Sequence, residues 1–339
     1  MAIAQPLDSA QELLTVEEES WGKIIWRRFR KHKMAIFGMV TLTLIFLFSY
    51  VGPLLRPYPE SCRVIGQSKR DCVIDAVVNV YAPRSAEHPL GLDDVGRDTL
   101  TRLMYGGRIS LFVGLSCAIL STIIGIVIGA VSGFYGRWVD AMSMRFVEFM
   151  LTLPTLPILL IIAAIRAKGG ANFINVLIPT PIASAAGSIL SMKPEEARDV
   201  LGLVLILVVF GWMGTALLVR GTVLSLRTLE YADAARALGA SSWRIIRRHM
   251  IPNSLAPIIV SVTLAVGDFI IIESALSFLG FGVRVPTPTW GNMLTNTQAY
   301  MFVNPWLALY PGLLIFLTVL SINYIGDALR DALDPRLKE

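Results

Sequence analysis

The sequence predicts an all-α, polytopic membrane protein with six transmembrane helices and both termini in the cytoplasm. Hydrophobic residues make up 54% of its 339 residues and charged residues only 16%, whereas soluble globular domains carry about 25% charged residues. The apolar residues are gathered into long blocks, and about 20 such residues suffice for a helix to cross the hydrocarbon core of a bilayer. Basic residues lie before the first block and after the last one, as is typical of cytoplasmic ends.

Six apolar blocks are long enough to span a membrane, and each predicts one helix. They cover residues 34–55, 109–132, 144–165, 200–219, 253–279 and 306–325. Pro154 and Pro157 lie near the middle of the third block. Because proline removes a backbone donor and clashes with the preceding turn, we expect that helix to be kinked or broken there.

These blocks divide the chain into five parts. The predicted parts are a cytoplasmic segment 1–33, a first transmembrane helix 34–55, an extracytoplasmic loop 56–108, a five-helix core 109–327 and a cytoplasmic tail 328–339. In the second block, Gly125, Gly129 and Gly133 recur at every fourth position. One face of that helix is therefore bare enough for close packing, first against a helix of the same chain and alternatively against a partner chain.

The basic residues decide the predicted orientation, because Lys and Arg beside membrane helices tend to remain in the cytoplasm. The connection 223–252, which falls inside, holds five arginines, and its only acids are Glu230 and Asp233. The segment 56–108 also carries basic residues, but long translocated segments largely escape this rule. The segment 21–29 has one aromatic and apolar helical face, so we expect it to lie along the inner membrane surface.

Side chains that could carry catalysis or bind a metal are scattered along the chain. No phosphate-binding loop of the G-x-x-x-x-G-K-[ST] type occurs, and the three histidines are isolated from one another. The sequence therefore predicts a non-catalytic chain that binds no metal and no cofactor. Cys62 and Cys72 both lie in the predicted outer loop, in a compartment where disulfides persist. A bridge between them is a hypothesis, and two free thiols are the alternative.

Two carboxylates in the fifth block, Asp268 and Glu273, are unusual because a charged group facing lipid costs several kcal/mol. We expect both to face the helix bundle, a cavity or an interface. One hypothesis places them along a translocation path. The alternative is a structural hydrogen bond to a neighbouring helix.

The connection 223–252 has the pattern of two short helices. Thr228 is the predicted N-cap of the first helix, whose first turn carries two acidic residues, where the helix dipole favours negative charge. Gly239 can end that helix in the left-handed conformation, and Ser241 or Ser242 can begin the second, which Pro252 ends. A narrow apolar face is predicted at Tyr231, Ala234, Ala235 and Leu238. Such a face suits a groove on a cytosolic partner, although an ordinary interfacial loop would show the same periodicity.

The same connection resembles the EAA loop of ABC importer permeases. The pattern of that family is Glu-Ala-Ala, three residues, Gly, nine residues and Ile-x-Leu-Pro. Here Asp233-Ala-Ala is followed at the same spacings by Gly239 and by His249-Met-Ile-Pro252, with Asp for Glu, His for Ile and Ile for Leu. The resemblance implies that this loop couples the chain to an ATPase. The residues so implied are Glu230, Tyr231, Asp233, Ala234, Ala235, Leu238, Gly239, Ala240 and Pro252.

Further stretches are similar to the C-type permease of the dipeptide, oligopeptide and nickel branch of that family. They begin with His88-Pro-Leu-Gly, Tyr105-Gly-Gly-Arg, Glu273-Ser-Ala-Leu, Pro286-Thr-Pro-Thr and Asn323-Tyr-Ile-Gly. The resemblance extends from about residue 21 to the C-terminus. It implies the fold of a type I ABC importer permease.

The resemblance also implies a function, namely the transmembrane subunit of an ABC importer that moves dipeptides or oligopeptides by alternating access. The implied partners are a related B-type permease, two cytosolic ATPases that bind ATP and Mg, an extracytoplasmic substrate-binding protein and the lipid bilayer. Importers of nickel, glutathione or oligosaccharides in the same family are alternatives.

A secondary transporter or channel is the alternative from another class. It predicts paired broken helices near the midplane, whereas here only the third block is clearly interrupted by proline, and no other block matches it. No nucleic-acid partner is expected, because the bias toward cytoplasmic basic residues accounts for the net charge of +5.

Overall fold

The computed structural model describes residues 21–55, 63–64, 72–73, 84–167, 177–295, 297, 301–302 and 304–333, and nearly all of them are helical, as predicted. In chain order the elements are α1 (Trp21–Lys31), α2 (Lys33–Tyr50), a 3₁₀ turn (Gly52–Leu55), β1 (Arg63–Val64), β2 (Cys72–Val73), α3 (Thr99–Tyr135), α4 (Arg137–Thr152), α5 (Thr155–Ala167), α6 (Thr180–Leu190), α7 (Pro194–Gly211), α8 (Met213–Leu226), α9 (Glu230–Ala237), α10 (Ser242–Ile245), a π-helical turn (Ile246–Met250), α11 (Ile251–Asn253), α12 (Leu255–Phe278), a 3₁₀ turn (Asn292–Leu294) and α13 (Trp306–Leu333). The two short strands pair antiparallel, with Val64 opposite Cys72. The predicted disulfide rests on Cys62 and on the side chain of Cys72, which lie outside the described residues.

Among the described residues, four single helices and two bent helix pairs are long and apolar enough to cross a membrane, which gives up to six spans when each pair counts as one. The single spans are α2, α3, α12 and α13, and the pairs are α4 with α5 and α7 with α8. The break between α4 and α5 bends the third span by 79°. It lies at Leu153 and Pro154, which confirms the interruption that the prolines predict.

The bend of 42° between α7 and α8 was not predicted, because no proline lies there. Gly211 ends α7 where the ring of Phe269 approaches it so closely that a Cβ at this glycine would lie 2.3 Å from the phenylalanine Cζ. The indole Nε1 of Trp212 donates to the carbonyl of Val209 at 2.9 Å. Packing against α12 therefore accompanies this bend, so that a second span is bent besides the one that proline interrupts.

Several helix boundaries differ from the predicted ones, and one helix is additional. Helix α3 begins at Thr99 rather than near residue 109, so residues 99–108, assigned to the outer loop, are helical. The carboxylate of Asp98 caps its start by accepting from the amide of Thr101. Helix α13 extends to Leu333, past the predicted end of the core. The apolar helix α6 was not predicted.

Helix α3 lies at the centre of the bundle and contacts α2, α7, α8 and α12. Its three spaced glycines face α8, which confirms the prediction of close packing within the chain. A Cβ on Gly125 would lie 2.8 Å from the carbonyl oxygen of Trp212, and one on Gly129 would lie 2.4 Å from that of Ala216. The two backbones are therefore in contact along this face, and only glycine fits there.

Ion pairs and contacts with small residues hold the helices together at one end of the bundle, where the predicted cytoplasmic segments meet. Arg220 of α8 binds both carboxylate oxygens of Asp140 at the start of α4. The amphipathic helix α1 packs Phe29 against Ala328 and Ala332 of α13. The N-terminal helix thus lies against the last span, at the same end as residues 223–252.

We expect Gly129→Ala to destabilise the chain, because the added methyl group meets the backbone of α8, which cannot move aside as a side chain can. The free energy of unfolding in detergent should fall by about 1–3 kcal/mol, the usual cost of overpacking a core. Thermal unfolding, monitored by size-exclusion chromatography, would measure this loss of stability.

Gly214→Ala is the matched control, since Gly214 lies on α8 with nothing within 4 Å of an added Cβ. This variant should unfold at the wild-type temperature or slightly above it. Equal stabilities of the two variants would contradict the close packing of α3 on α8.

Candidate functional site

The connection 223–252 leaves the bundle at the end of α8 and is tied at once to the end of α3. The guanidinium of Arg227 donates to the carbonyl oxygens of Gly133 at 2.9 Å and Phe134 at 3.3 Å. These carbonyls belong to the last turn of α3, where they lack partners in the helix. The loop therefore starts from a fixed point on the central helix.

Helix α9 is held to the bundle by one face. Ala232 is fully buried in a cluster with Val223, Ile245, Ile246 and Met250. Tyr231 and Ala235 pack partly buried against the same cluster. The small side chain of Ala232 lets the backbone of α9 lie close to its neighbours, so that the helix and the bundle are joined by a dry apolar contact.

The end of α9 is a Schellman motif centred on Gly239, whose φ is +78°. The amide of Gly239 donates to the carbonyl of Arg236 at 2.9 Å, and that of Ala240 donates to the carbonyl of Ala235 at 3.0 Å. This geometry confirms that Gly239 ends the helix in the left-handed conformation. No atom lies within 4 Å of an added Cβ, so backbone conformation rather than space requires glycine here.

The cap at the start of α9 differs from the predicted one. Leu229 holds the N-cap position without a side-chain bond, and the hydroxyl of Thr228 donates instead to the carbonyl of Ser225 at 2.9 Å. The second helix starts as predicted, because the side chain of Ser241 accepts from the amide of Arg244. Pro252 does not end this run as predicted: the chain is helical through a π-helical turn to Asn253, and only Ser254 separates it from α12. Proline is tolerated here because it lies in the first turn of α11, where its missing N–H breaks no helical hydrogen bond.

The outer face of α9 is exposed and partly apolar. Leu238, which directly follows α9, is 88% exposed, and Trp243 of α10 is 58% exposed. On α9 itself, Glu230, Asp233 and Ala234 are exposed, and Asp233 is paired to Arg236. The predicted apolar face is therefore divided, since Tyr231 and Ala235 turn toward the bundle while Ala234 and Leu238 face away. Leu238 and Trp243 are thus the most exposed large apolar side chains of this loop.

At the opposite end of the bundle, Glu273 is fully buried among hydroxyl groups. Its carboxylate accepts from Ser277 at 2.7 Å and from Ser110 of α3 at 3.0 Å. The amide of Trp290 approaches the Ser110 oxygen at 3.3 Å, and its indole Nε1 donates to the carbonyl of Leu103. Glu273 therefore joins α12 to α3 through Ser110, whose oxygen is also approached by the segment after α12.

Asp268 lies on another side of α12 and is exposed. The structure does not bring it together with Glu273, because the two carboxylates face different surroundings. Within the described part of the chain its carboxylate makes no hydrogen bond and no ion pair.

Sequence reasoning missed a cavity of about 560 Å³ at the Glu273 end. It is lined by residues of the turn before α3 and of the segment after α12, including Asp93, Arg102 and Asn292. Asp93 pairs with Arg97 at 2.8 Å and with Arg102 at 3.3 Å. The motifs at 88–100 and 286–294 were recognised in the sequence, but only the fold places them side by side.

Comparison with known proteins agrees with this architecture. The family described as "Binding-protein-dependent transport system inner membrane component" matches residues 125–339. The family described as "N-terminal TM domain of oligopeptide transport permease C" matches residues 20–70. The two matches together include the first span, the whole connection 223–252 and the last two spans.

Several curated proteins are similar over nearly their whole length. The dipeptide transport system permease protein DppC of Bacillus subtilis is 35% identical over 94% of this chain and 87% of its own. The oligopeptide transport system permease protein OppC of the same organism is 31% identical over 92% and 88%. The glutathione transport system permease protein GsiD of Pectobacterium atrosepticum is 34% identical over 92% and 90%. The chain therefore belongs to the family of inner-membrane components of binding-protein-dependent transport systems, and it is a multi-pass protein of the inner membrane.

Proposed function

We propose that this chain is the C-type transmembrane subunit of an ATP-driven importer of dipeptides or oligopeptides. The observation that carries the proposal is the loop 223–252, which exposes Leu238 and Trp243 beyond the bundle while Ala232 fixes it to the central helices. A partner that moves this loop would move the end of α3 and α8 with it. The names of the relatives support peptides as the transported class.

The proposed complex has several further components. A related B-type permease completes the pathway, and two cytosolic ATPases bind ATP and Mg and contact the loop. An extracytoplasmic substrate-binding protein delivers peptide to the opposite end. This chain holds no catalytic residue or cofactor in the proposed mechanism, and its orientation, with both termini in the cytoplasm, follows from its basic residues.

ATP binding would bring the two ATPases together and pull the loops of the two permeases with them. Because Arg227 and the cluster around Ala232 link the loop to α3 and α8, the displacement passes to the spans as a nearly rigid movement. The pathway then alternates between its inward-facing and outward-facing states. The glutathione permease among the relatives favours one alternative within this class, because glutathione is itself a small peptide.

We expect Gly239→Val to lower peptide transport at least about tenfold while the chain remains inserted. A β-branched residue is strained at positive φ by about 1–2 kcal/mol. The turn would relieve this strain by changing its backbone conformation, and that change would redirect Leu238 and the start of α10. Transport is measured as ATP-dependent uptake of labelled peptide into proteoliposomes that contain the whole complex.

Two variants control for this experiment. Gly221→Val makes the same change in α8, also with nothing within 4 Å, and should retain transport. Gly239→Asn should retain most of it, because asparagine tolerates the left-handed region. Wild-type uptake by Gly239→Val would refute the coupling role of this turn.

We expect Leu238→Asp to release the ATPase subunits from the complex. Leu238 is 88% exposed, so the change leaves the fold intact but places a charge in the proposed apolar contact. Affinity purification in mild detergent should recover the second permease with far less ATPase than from wild type. Leu55→Asp changes an 80% exposed leucine at the opposite end, and this variant should retain the ATPases. Equal ATPase recovery from both variants would exclude Leu238 from the contact.

A further inference from the structure

Asp268 lies near the middle of a membrane span. With a rise of 1.5 Å per residue, it is about 20 Å from the Leu255 end of α12 and about 15 Å from the Phe278 end. A carboxylate at this depth is costly in lipid and is found where it faces protein or water. Because the described residues leave Asp268 exposed, protein or water outside this bundle must supply its environment.

The neighbouring residues of α12 show which way Asp268 faces. Phe269 packs against Gly211 at the end of α7, and Ile270 packs against Gly114 of α3. Both are buried in the bundle, whereas Asp268 is exposed on the outside of it. The carboxylate is thus directed toward whatever completes the complex and away from the core of this chain.

A second polar residue lies at the same level on the adjacent helix. A Cβ placed on Gly267 would lie 3.8 Å from the Oδ1 atom of Asn323 of α13. Asn323 is also exposed, and its amide makes no hydrogen bond within the described part of the chain. The negatively charged carboxylate of Asp268 and the amide of Asn323, which lies beside the preceding residue Gly267, are therefore both exposed at mid-membrane depth.

We infer that Asp268 and Asn323 line the aqueous pathway and bind the backbone of the peptide in transit, with Asp268 accepting from its α-ammonium group and Asn323 pairing with a peptide amide. This inference rests on the proposed function. The relatives are named for the transport of dipeptides, oligopeptides and glutathione, and these solutes share no side chain. They share a free α-ammonium group and amide bonds, and these two groups complement a carboxylate and a carboxamide.

The test uses the complete transporter in proteoliposomes, with a labelled alanine peptide of two to five residues that the wild type imports. Asp268→Asn should lower the maximal uptake rate about tenfold, the effect of losing one charge-assisted hydrogen bond. The peptide concentration at half-maximal uptake should stay the same, because the binding protein captures the peptide. Asp268→Glu should restore most of the rate, and Asn323→Ala should lower it less.

Accessibility to water gives a readout that does not depend on transport. A cysteine introduced by Asp268→Cys should react with a charged, membrane-impermeant thiol reagent, and the imported peptide should slow that reaction. The labelling of the wild-type chain under the same conditions is subtracted as background.

Three results would overturn the inference. Wild-type uptake by Asp268→Asn would show that the carboxylate does not act on the peptide. Loss of the second permease from purified Asp268→Asn complex would show that Asp268 pairs with that subunit. Labelling of Asp268→Cys only by a lipophilic reagent would place it against lipid. Failure of the wild-type complex to import any peptide is a different outcome, because it refutes the proposed function itself.

Discussion

The close approach of α3 to α8 is the contact on which both ends of the molecule depend. Backbone meets backbone at Gly125, Gly129 and Gly133, and no side chain separates the two helices. In a membrane the hydrophobic effect does not drive helices together, so packing of this kind and polar contacts must supply the association. Helix α8 leads directly into the loop 223–252, and α3 carries Ser110 and Arg108 at its other end.

Two buried charged side chains, Arg108 and Glu273, connect α3 to its neighbours at the Glu273 end through hydrogen bonds. Arg108 donates to the carbonyl oxygens of Ser49 and Tyr50, each at 2.8 Å, and so binds the end of α2. Glu273 accepts from hydroxyls of α3 and α12. A buried charge that lost these partners would destabilise this end strongly. The segment that follows α12 is joined to the same group through the amide of Trp290, which approaches the Ser110 oxygen at 3.3 Å.

The two ends differ in what they leave exposed. At the loop 223–252 the exposed groups include the apolar side chains of Leu238 and Trp243. At the Glu273 end a cavity is lined by paired charges such as Asp93 and Arg102. These two ends suit the two tasks in the proposed importer. The apolar contact at the loop would transmit movement, and the polar opening at the Glu273 end would receive a delivered solute.

The sequence by itself determined the features that depend on local chemistry or on composition. Apolar length predicted the spans, Pro154 predicted the break in the third one, and the spaced glycines predicted close packing. Gly239 and Ser241 predicted a helix end and a helix start, because left-handed backbone and N-capping are properties of a few residues in a row. The motif spacings predicted the family.

Only the tertiary structure decided the features that depend on distant neighbours. The bend at Trp212 accompanies packing of Phe269 on Gly211, which no local pattern records. The early start of α3 requires partners for the buried Arg102 and Arg108, and these partners come from the turn before α3 and from the end of α2. Asp268 and Glu273 lie on one helix and cannot be told apart by sequence, since the neighbouring helices alone determine that one is enclosed by hydroxyls and the other is exposed.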